Sequence, residues 1–220
     1  TERLATLETE RLATLELYMK STGLSNYTID LNEKNALDNL KKMTWGTFKI
    51  IDLFLVKNTH NILSRDIVVN SGDIPYLTAG QSNNSVGTYI NFDNSQIDKG
   101  NSIFIGGKTF VVTYQKDDYF SNDSHNLALY YKESDKRTKF NQLFMVTSIY
   151  KSLSHLYSWG DSISNKKIQK DTIQLPVKLD GTPDYDYMST VISAMQKVVI
   201  KNVVDYLDQR IEKTKEIVGS

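Results

Sequence analysis

Two hundred and twenty residues suffice for one large domain, or for one domain with helical extensions. Forty per cent are apolar and ten per cent aromatic, enough for a core, yet no apolar run is long enough to span a bilayer. The chain has no cysteine, which excludes disulfides and Cys-ligated zinc and suits a reducing cytoplasm, and its 26 basic and 26 acidic residues cancel, so it is no polycation overall.

The chain opens with TERLATLE at Thr1–Glu8, repeated unaltered at Thr9–Glu16. The unit lacks Gly and Pro and is built of good helix formers, so it predicts a helix to about Lys20. Leu4, Leu7, Leu12 and Leu15 fall in one broad arc at 100° per residue, an expected apolar stripe. Two readings stay open: ordinary coiled coil, or a spacer whose length changes in steps of roughly 12 Å. A polar connection follows, with a short helix expected at Glu33–Lys42.

From Trp45 the pattern changes to short strands and polar turns. Strands are expected at Phe48–Val56, Ile74–Thr78, Ser102–Ile105, Thr109–Tyr114, Asn126–Tyr131 and Thr172–Leu175. One helix, about Lys139–Tyr157, interrupts them. After LDGTPDYDY a long amphipathic helix is expected, with Met188, Ile192, Met195, Val199, Val203, Leu207, Ile211 and Val218 on its apolar stripe. This predicts a mixed α/β (α+β) fold in three parts: residues 1–44 helical, 45–187 globular, and 188–220 a coiled-coil helix. Residues 1–40 carry four basic and seven acidic groups, leaving twenty-two basic against nineteen acidic in the remainder. That local excess permits a basic groove.

Catalytic signatures are missing. His60, His125 and His155 stand apart, without a partner at metal-ligand spacing. GNSIFIGGKT departs from a phosphate loop at Ser102, where that pattern needs glycine. There is no Gly-x-Ser-x-Gly and no His-Glu-x-x-His, and no cofactor is expected.

The loops instead carry groups that read base edges. GQSNNSVGTY offers Gln81, Ser82, Asn83 and Asn84, and such amides can pair with adenine through two hydrogen bonds. GGKT offers Lys108; YFSNDSHN offers Tyr119, Asn122, Ser124 and His125. SWGDSISNKK offers Ser164, Asn165 and two cations for a phosphate backbone, Lys166 and Lys167. Any one loop is also what ordinary turns are made of; four in one domain favour binding.

The order WGTFKIIDLF, GDIPYLTAG, GNSIFIGG, DSHNLALYY, a helix, ISNKKIQKDTIQLPV and a long helix resembles a target-recognition domain of type I restriction–modification specificity subunits, from about Trp45 to Val218. LDGTPDYDYM resembles the variant found in type I-like and fused type IIG/IIB enzymes. The resemblance implies a non-catalytic module that reads half of a split site in double-stranded DNA. It also implies long helices that self-associate and dock DNA methyltransferase and restriction/translocase subunits, and tandem repeats that set the spacing between half-sites. Two alternatives remain at this level: the recognition domain of a fused restriction–methylation enzyme, and a coiled-coil scaffold that binds no DNA.

Overall fold

The computed structural model describes the backbone of residues 2–218; Thr1, Gly219, Ser220 and the side chain of Val218, the last member of the expected stripe, lie outside the described residues. The fold is mixed α/β, in two compact units: residues up to Met43 with those from Ser189 onward, and Thr44–Met188.

The first unit is helical: α1 (Glu2–Thr22), α2 (Leu31–Asn39) and most of a 34-residue helix that begins in the other unit at Tyr185 and ends at Val218. α2 starts with a capping box. Asp30 accepts from the Glu33 backbone N–H at 2.9 Å, and Glu33 Oε2 accepts from the Asp30 backbone N–H at 3.0 Å, satisfying two donors that a helix start would orphan. Glu33 is buried and also accepts from Lys197 Nζ at 2.8 Å and Ser193 Oγ at 2.7 Å; Lys197, equally buried, adds a bond to the Thr28 carbonyl at 3.1 Å.

The buried line of the long helix in this unit is Val191, Ala194, Lys197, Ile200, Val204 and Ile211. This corrects the expected stripe. Of its members Met188 and Ile211 are buried and Ile192 and Leu207 half-buried, but Met195, Val199 and Val203 are 42, 53 and 37% exposed. Two apolar lines run along the helix, and the one interrupted by a lysine turns inward because Glu33 and the Thr28 carbonyl complete that lysine.

The two octapeptide copies do not share an environment. Leu7 is buried and Leu4 and Leu15 half-buried, whereas Leu12 is 54% exposed. Eight residues exceed two helical turns by about 80°, so each copy is rotated relative to the other. The same rotation separates the arginines. Arg3 is exposed, whereas Arg11 forms a two-pronged ion pair with Asp208, one prong at 3.2 Å. Arg11 is therefore balanced by Asp208 rather than by the neighbouring Glu10. Further along α1, the Tyr18 hydroxyl donates to the Gln196 carbonyl at 2.9 Å.

The second unit holds three sheets. β1 (Trp45–Lys49) pairs antiparallel with β9 (Thr172–Pro176). A four-stranded antiparallel sheet runs in the order β2 (Phe54–Asn58), β8 (Leu127–Tyr131), β5 (Ser102–Ile105), β6 (Val112–Gln115). A third sheet has β3 (Ile74–Leu77) between β4 (Val86–Ile90) and the short parallel β7 (Phe120–Ser121). β5 is buried at every residue, which is why it reads as a continuous apolar run rather than an alternating one. Helix α4 (Lys139–Leu153), capped by Thr138 Oγ1 accepting from the Asn141 N–H, packs on β6 and β9.

Three expectations are corrected here. The single strand Phe48–Val56 is broken by the helical turn α3 (Ile50–Leu53), which passes the chain from one sheet to another; both Ile50 and Leu53 are buried, and the Ile50 N–H donates to the Asp171 carbonyl. The strand expected from Thr109 starts only at Val112, because Phe110 adopts φ 52° and turns the chain. The long helix starts at Tyr185 rather than Met188, with Asp184 Oδ1 accepting from the Tyr187 N–H. β4 and β7 were not expected.

Candidate nucleic-acid interface

Four loops of the second unit meet at one end. The 79–85 loop is held to the 106–109 turn by Thr109 Oγ1 donating to the Ala79 carbonyl at 2.8 Å. The same turn is held to the 122–126 loop: the Gly107 N–H donates to Asn126 Oδ1 at 3.0 Å, and Lys108 Nζ lies 3.0 Å from Asp123 Oδ2. A Cβ at Gly107 would sit 2.4 Å from the His125 carbonyl oxygen, so this approach requires glycine. The fourth loop closes on the second through the Ile163 N–H and the Gly107 carbonyl at 3.2 Å. It reaches the third through Asn58: Asn165 Nδ2 donates to Asn58 Oδ1 at 3.0 Å, and Asn58 Nδ2 donates to the Ser124 carbonyl at 2.6 Å.

Within this surface the expected readers divide. Gln81 and Ser82 are exposed, and the Gln81 amide makes no hydrogen bond among the described residues. Asn83 and Asn84 are exposed but committed. Their Nδ2 groups donate to the Val86 and Tyr114 carbonyls at 3.1 and 3.0 Å, supporting left-handed backbone at 83–85 that asparagine tolerates. These bonds fix the direction of each amide: Asn83 keeps one N–H and its Oδ1 for a base edge, whereas the Asn84 Nδ2 also lies 3.5 Å from Gln115 Oε1.

Lys108 and His125 share Asp123, whose carboxylate also accepts the His125 backbone N–H at 2.9 Å. Burial would raise the Asp123 pKa, but the bonds from His125 and Lys108 outweigh it and hold the carboxyl below its ordinary range. His125 is thus not isolated, and neither is His60, whose Nδ1 lies 3.0 Å from Asp98. Among the described residues no group of three or more His, Asp or Glu could hold a metal ion. Asn122 Oδ1 accepts from Asn126 Nδ2, and the Ser124 carbonyl is taken by Asn58.

Tyr119 is removed from the surface: it is fully buried, with its ring edge-on to Phe104 at 5.9 Å. Its hydroxyl, pushed up in pKa by burial, could reach DNA only if the core opened. Ser164 caps α5 (Asn165–Ile168) by accepting from the Lys167 N–H. Lys167 Nζ is bound to Asp161, donates to the Ser162 carbonyl at 2.8 Å and sits 5.6 Å from the Tyr157 ring centre. Lys166 is exposed and makes no ion pair among the described residues.

Several neighbours escaped the loop reading. A cleft of about 330 Å³ is lined by Gln81, Thr109, Phe110, Tyr150, Ser154 and Tyr157. Asn58 ends a strand, so only its cross-loop bonds reveal it. Trp159 is 80% exposed in the SWGD turn; an aromatic residue beside glycine in a polar turn was the available signal.

A family model described as the type I restriction modification DNA specificity domain matches residues 42–206. The type II restriction enzyme specificity subunit S.BcgI of Heyndrickxia coagulans is 27% identical over 179 residues, 80% of this chain and 50% of that protein. The S subunit of a type I restriction–modification system from M. genitalium shares the fold with a TM-score of 0.51 at 13% identity, over 98% of this chain and 54% of that one. A chain solved in work on complex assembly and conformational transition of a type I system gives 0.52 at 10% identity, over 96% and 56%. The chain therefore spans about half the length of these relatives. With three quarters of its residues matched by the family model, it belongs to the type I restriction modification DNA specificity domain family.

Proposed function

We propose that the unit from Thr44 to Met188 reads one half of a split site in double-stranded DNA, without catalysis of its own. In this reading the chain works in the cytoplasm and directs partner methyltransferase and restriction/translocase subunits to that site. The observation that carries the reading is the convergence of four polar loops on one end of the unit, with Gln81 and Lys166 presented free. Gln81 reads a base edge and Lys166 contacts phosphate; Asn83, Asn84 and Ser164 hold the loops in shape. Family membership and a relative described as a separate specificity subunit support this over a fused enzyme. The exposed line Met195, Val199, Val203 and Tyr206 supports self-association through the long helix, and the octapeptide then acts as the spacer.

Methylation mapping with the assembled complex tests recognition. Gln81→Ala should relax preference at one position of the half-site, at a cost of about 1–3 kcal/mol there. Lys166→Ala should weaken all sequences alike and lower the log–log salt slope by about 0.9. Unchanged preference and slope in both variants would defeat this assignment. A chain that binds no DNA at low salt would favour the scaffold alternative.

A further inference from the structure

Trp159 is the residue that the reading above leaves unexplained. An indole is large and usually well buried, and here it is 80% exposed with no ring contact or hydrogen bond among the described residues. Its support is rigid. The Ser158–Asp161 turn is closed by two backbone hydrogen bonds, at 3.2 and 3.1 Å, which leave Trp159 and Gly160 at the tip. The tip protrudes: a Cβ at Gly160 would meet nothing within 4 Å. Directly before it Tyr157 is buried, its hydroxyl donating to Asp171 Oδ2 at 2.6 Å, which anchors the turn to the body of the unit.

The surroundings identify the partner's charge. Between Lys151 and Lys170 the chain has four lysines and a histidine against one acid, Asp161, and that acid is already paired with Lys167. A groove of about 580 Å³ places Lys151, His155 and Lys170 around Leu156, with Asp171, which accepts the Tyr157 hydroxyl, also in its wall. An unpaired aromatic tip set in a cationic segment suits a polyanion that carries flat apolar faces. The same turn leads directly into the fourth loop of the candidate interface, so tip and interface are continuous.

We infer that Trp159 is a wedge: when the chain binds double-stranded DNA, the indole leaves water and stacks on base faces at a step it opens, while the flanking cations hold the phosphates on either side. This rests on the DNA reading of the same unit. It adds a preference for steps that open easily, such as pyrimidine–purine steps, which no side-chain hydrogen bond would explain.

The sequence has two tryptophans, so Trp45→Phe leaves Trp159 as the sole reporter. The full chain with that change is titrated with a fluorescein-labelled mixed-sequence duplex. Anisotropy follows binding, and tryptophan emission with acrylamide quenching follows the indole. The expected result is that emission falls and acrylamide access drops several-fold as DNA saturates. Trp159→Ala should weaken binding about ten-fold with no change in melting temperature, while Trp159→Phe keeps most of the affinity. Binding in which the indole stays as open to acrylamide as in the free chain overturns the wedge alone. Absence of any binding overturns the DNA reading together with it.

Discussion

Helices α1 and α2 lie in the same unit and find their register in opposite ways. α1 relies on a line that repeats at helical spacing: Leu4, Leu7, Arg11, Leu15, Tyr18 and Thr22, none of them more than partly exposed. The octapeptide supplies this line only in part, because each copy turns about 80° away from the last. Hence Leu12 faces out while Arg11 faces in and needs Asp208. α2 is nine residues long, too short for an apolar seam, and it is fixed instead by one polar cluster of Asp30, Glu33, Ser193 and Lys197. A seam spreads its energy over several weak contacts; a buried ion pair concentrates it in one place.

The sharpest test of that contrast is Lys197→Ala. It strands Glu33 in a buried position and should cost about 3–5 kcal/mol in chemical denaturation. Lys197→Met with Glu33→Leu should recover most of the loss, since apolar replacement of both partners leaves no lone charge. If Lys197→Ala cost under 1 kcal/mol, the cluster would not be what holds α2.

Next in size, Leu7→Ala should cost about 2 kcal/mol or more, whereas the corresponding change in the second repeat, at Leu15, should cost less and Leu12→Ala should stay within about 0.5 kcal/mol. Deleting either octapeptide leaves the same sequence, and the surviving copy then sits where the second now does, next to Leu17. The deletion should therefore keep the arginine–Asp208 pair, lose what Leu7 contributes, and destabilise at least as much as Leu7→Ala. Equal costs at Leu7 and Leu15 would show that the copies are equivalent after all.

Smaller again is the arginine comparison. Arg11→Ala should cost about 0.2–1 kcal/mol, fading with added salt because both partners are partly exposed, and Arg3→Ala should cost nothing measurable. The finest test is acidity. Burial would raise the Glu33 pKa, but the bonds from Lys197, the Asp30 N–H and Ser193 outweigh it and hold the value below the usual 4.5. A carboxyl depressed on folding stabilises fully above its unfolded pKa, and that contribution is lost as pH falls through the folded one. The melting temperature should thus drop on acidification below about pH 4.5, and less so in Lys197→Met.

These contrasts also explain what could be read from the letters. Fully buried strands such as Ser102–Ile105 announce themselves as apolar runs, whereas Asp184, the cap of the long helix, is hidden within the turn-like PDYDY stretch. The inward face of that helix was misread because it contains Lys197; only the distant Glu33 makes a lysine acceptable there, and nothing local signals that pairing. The break at Ile50–Leu53 was hidden for a related reason, since an apolar run has no period that separates a strand from a helical turn. In the candidate interface the loops were legible as loops. Which amides hold the loop and which remain free was not, because asparagine is suited both to left-handed backbone and to base edges. Gln81 and Asn84 look alike as letters and differ only once the Tyr114 carbonyl is placed. Tyr119 was misassigned because tyrosine serves equally in cores and at surfaces.

The 80° offset between the octapeptide copies has a consequence for anything joined rigidly through that helix and laid along a duplex. One copy advances about 12 Å. Over that distance B-DNA passes about three and a half base pairs and twists by about 120°. The two screws therefore disagree by about 40° per copy. Helix and duplex act like the two scales of a vernier, so a change in copy number resets angular phase together with distance. A seven-residue unit would have kept its own inward face; the eighth residue is what makes the helix turn as it lengthens.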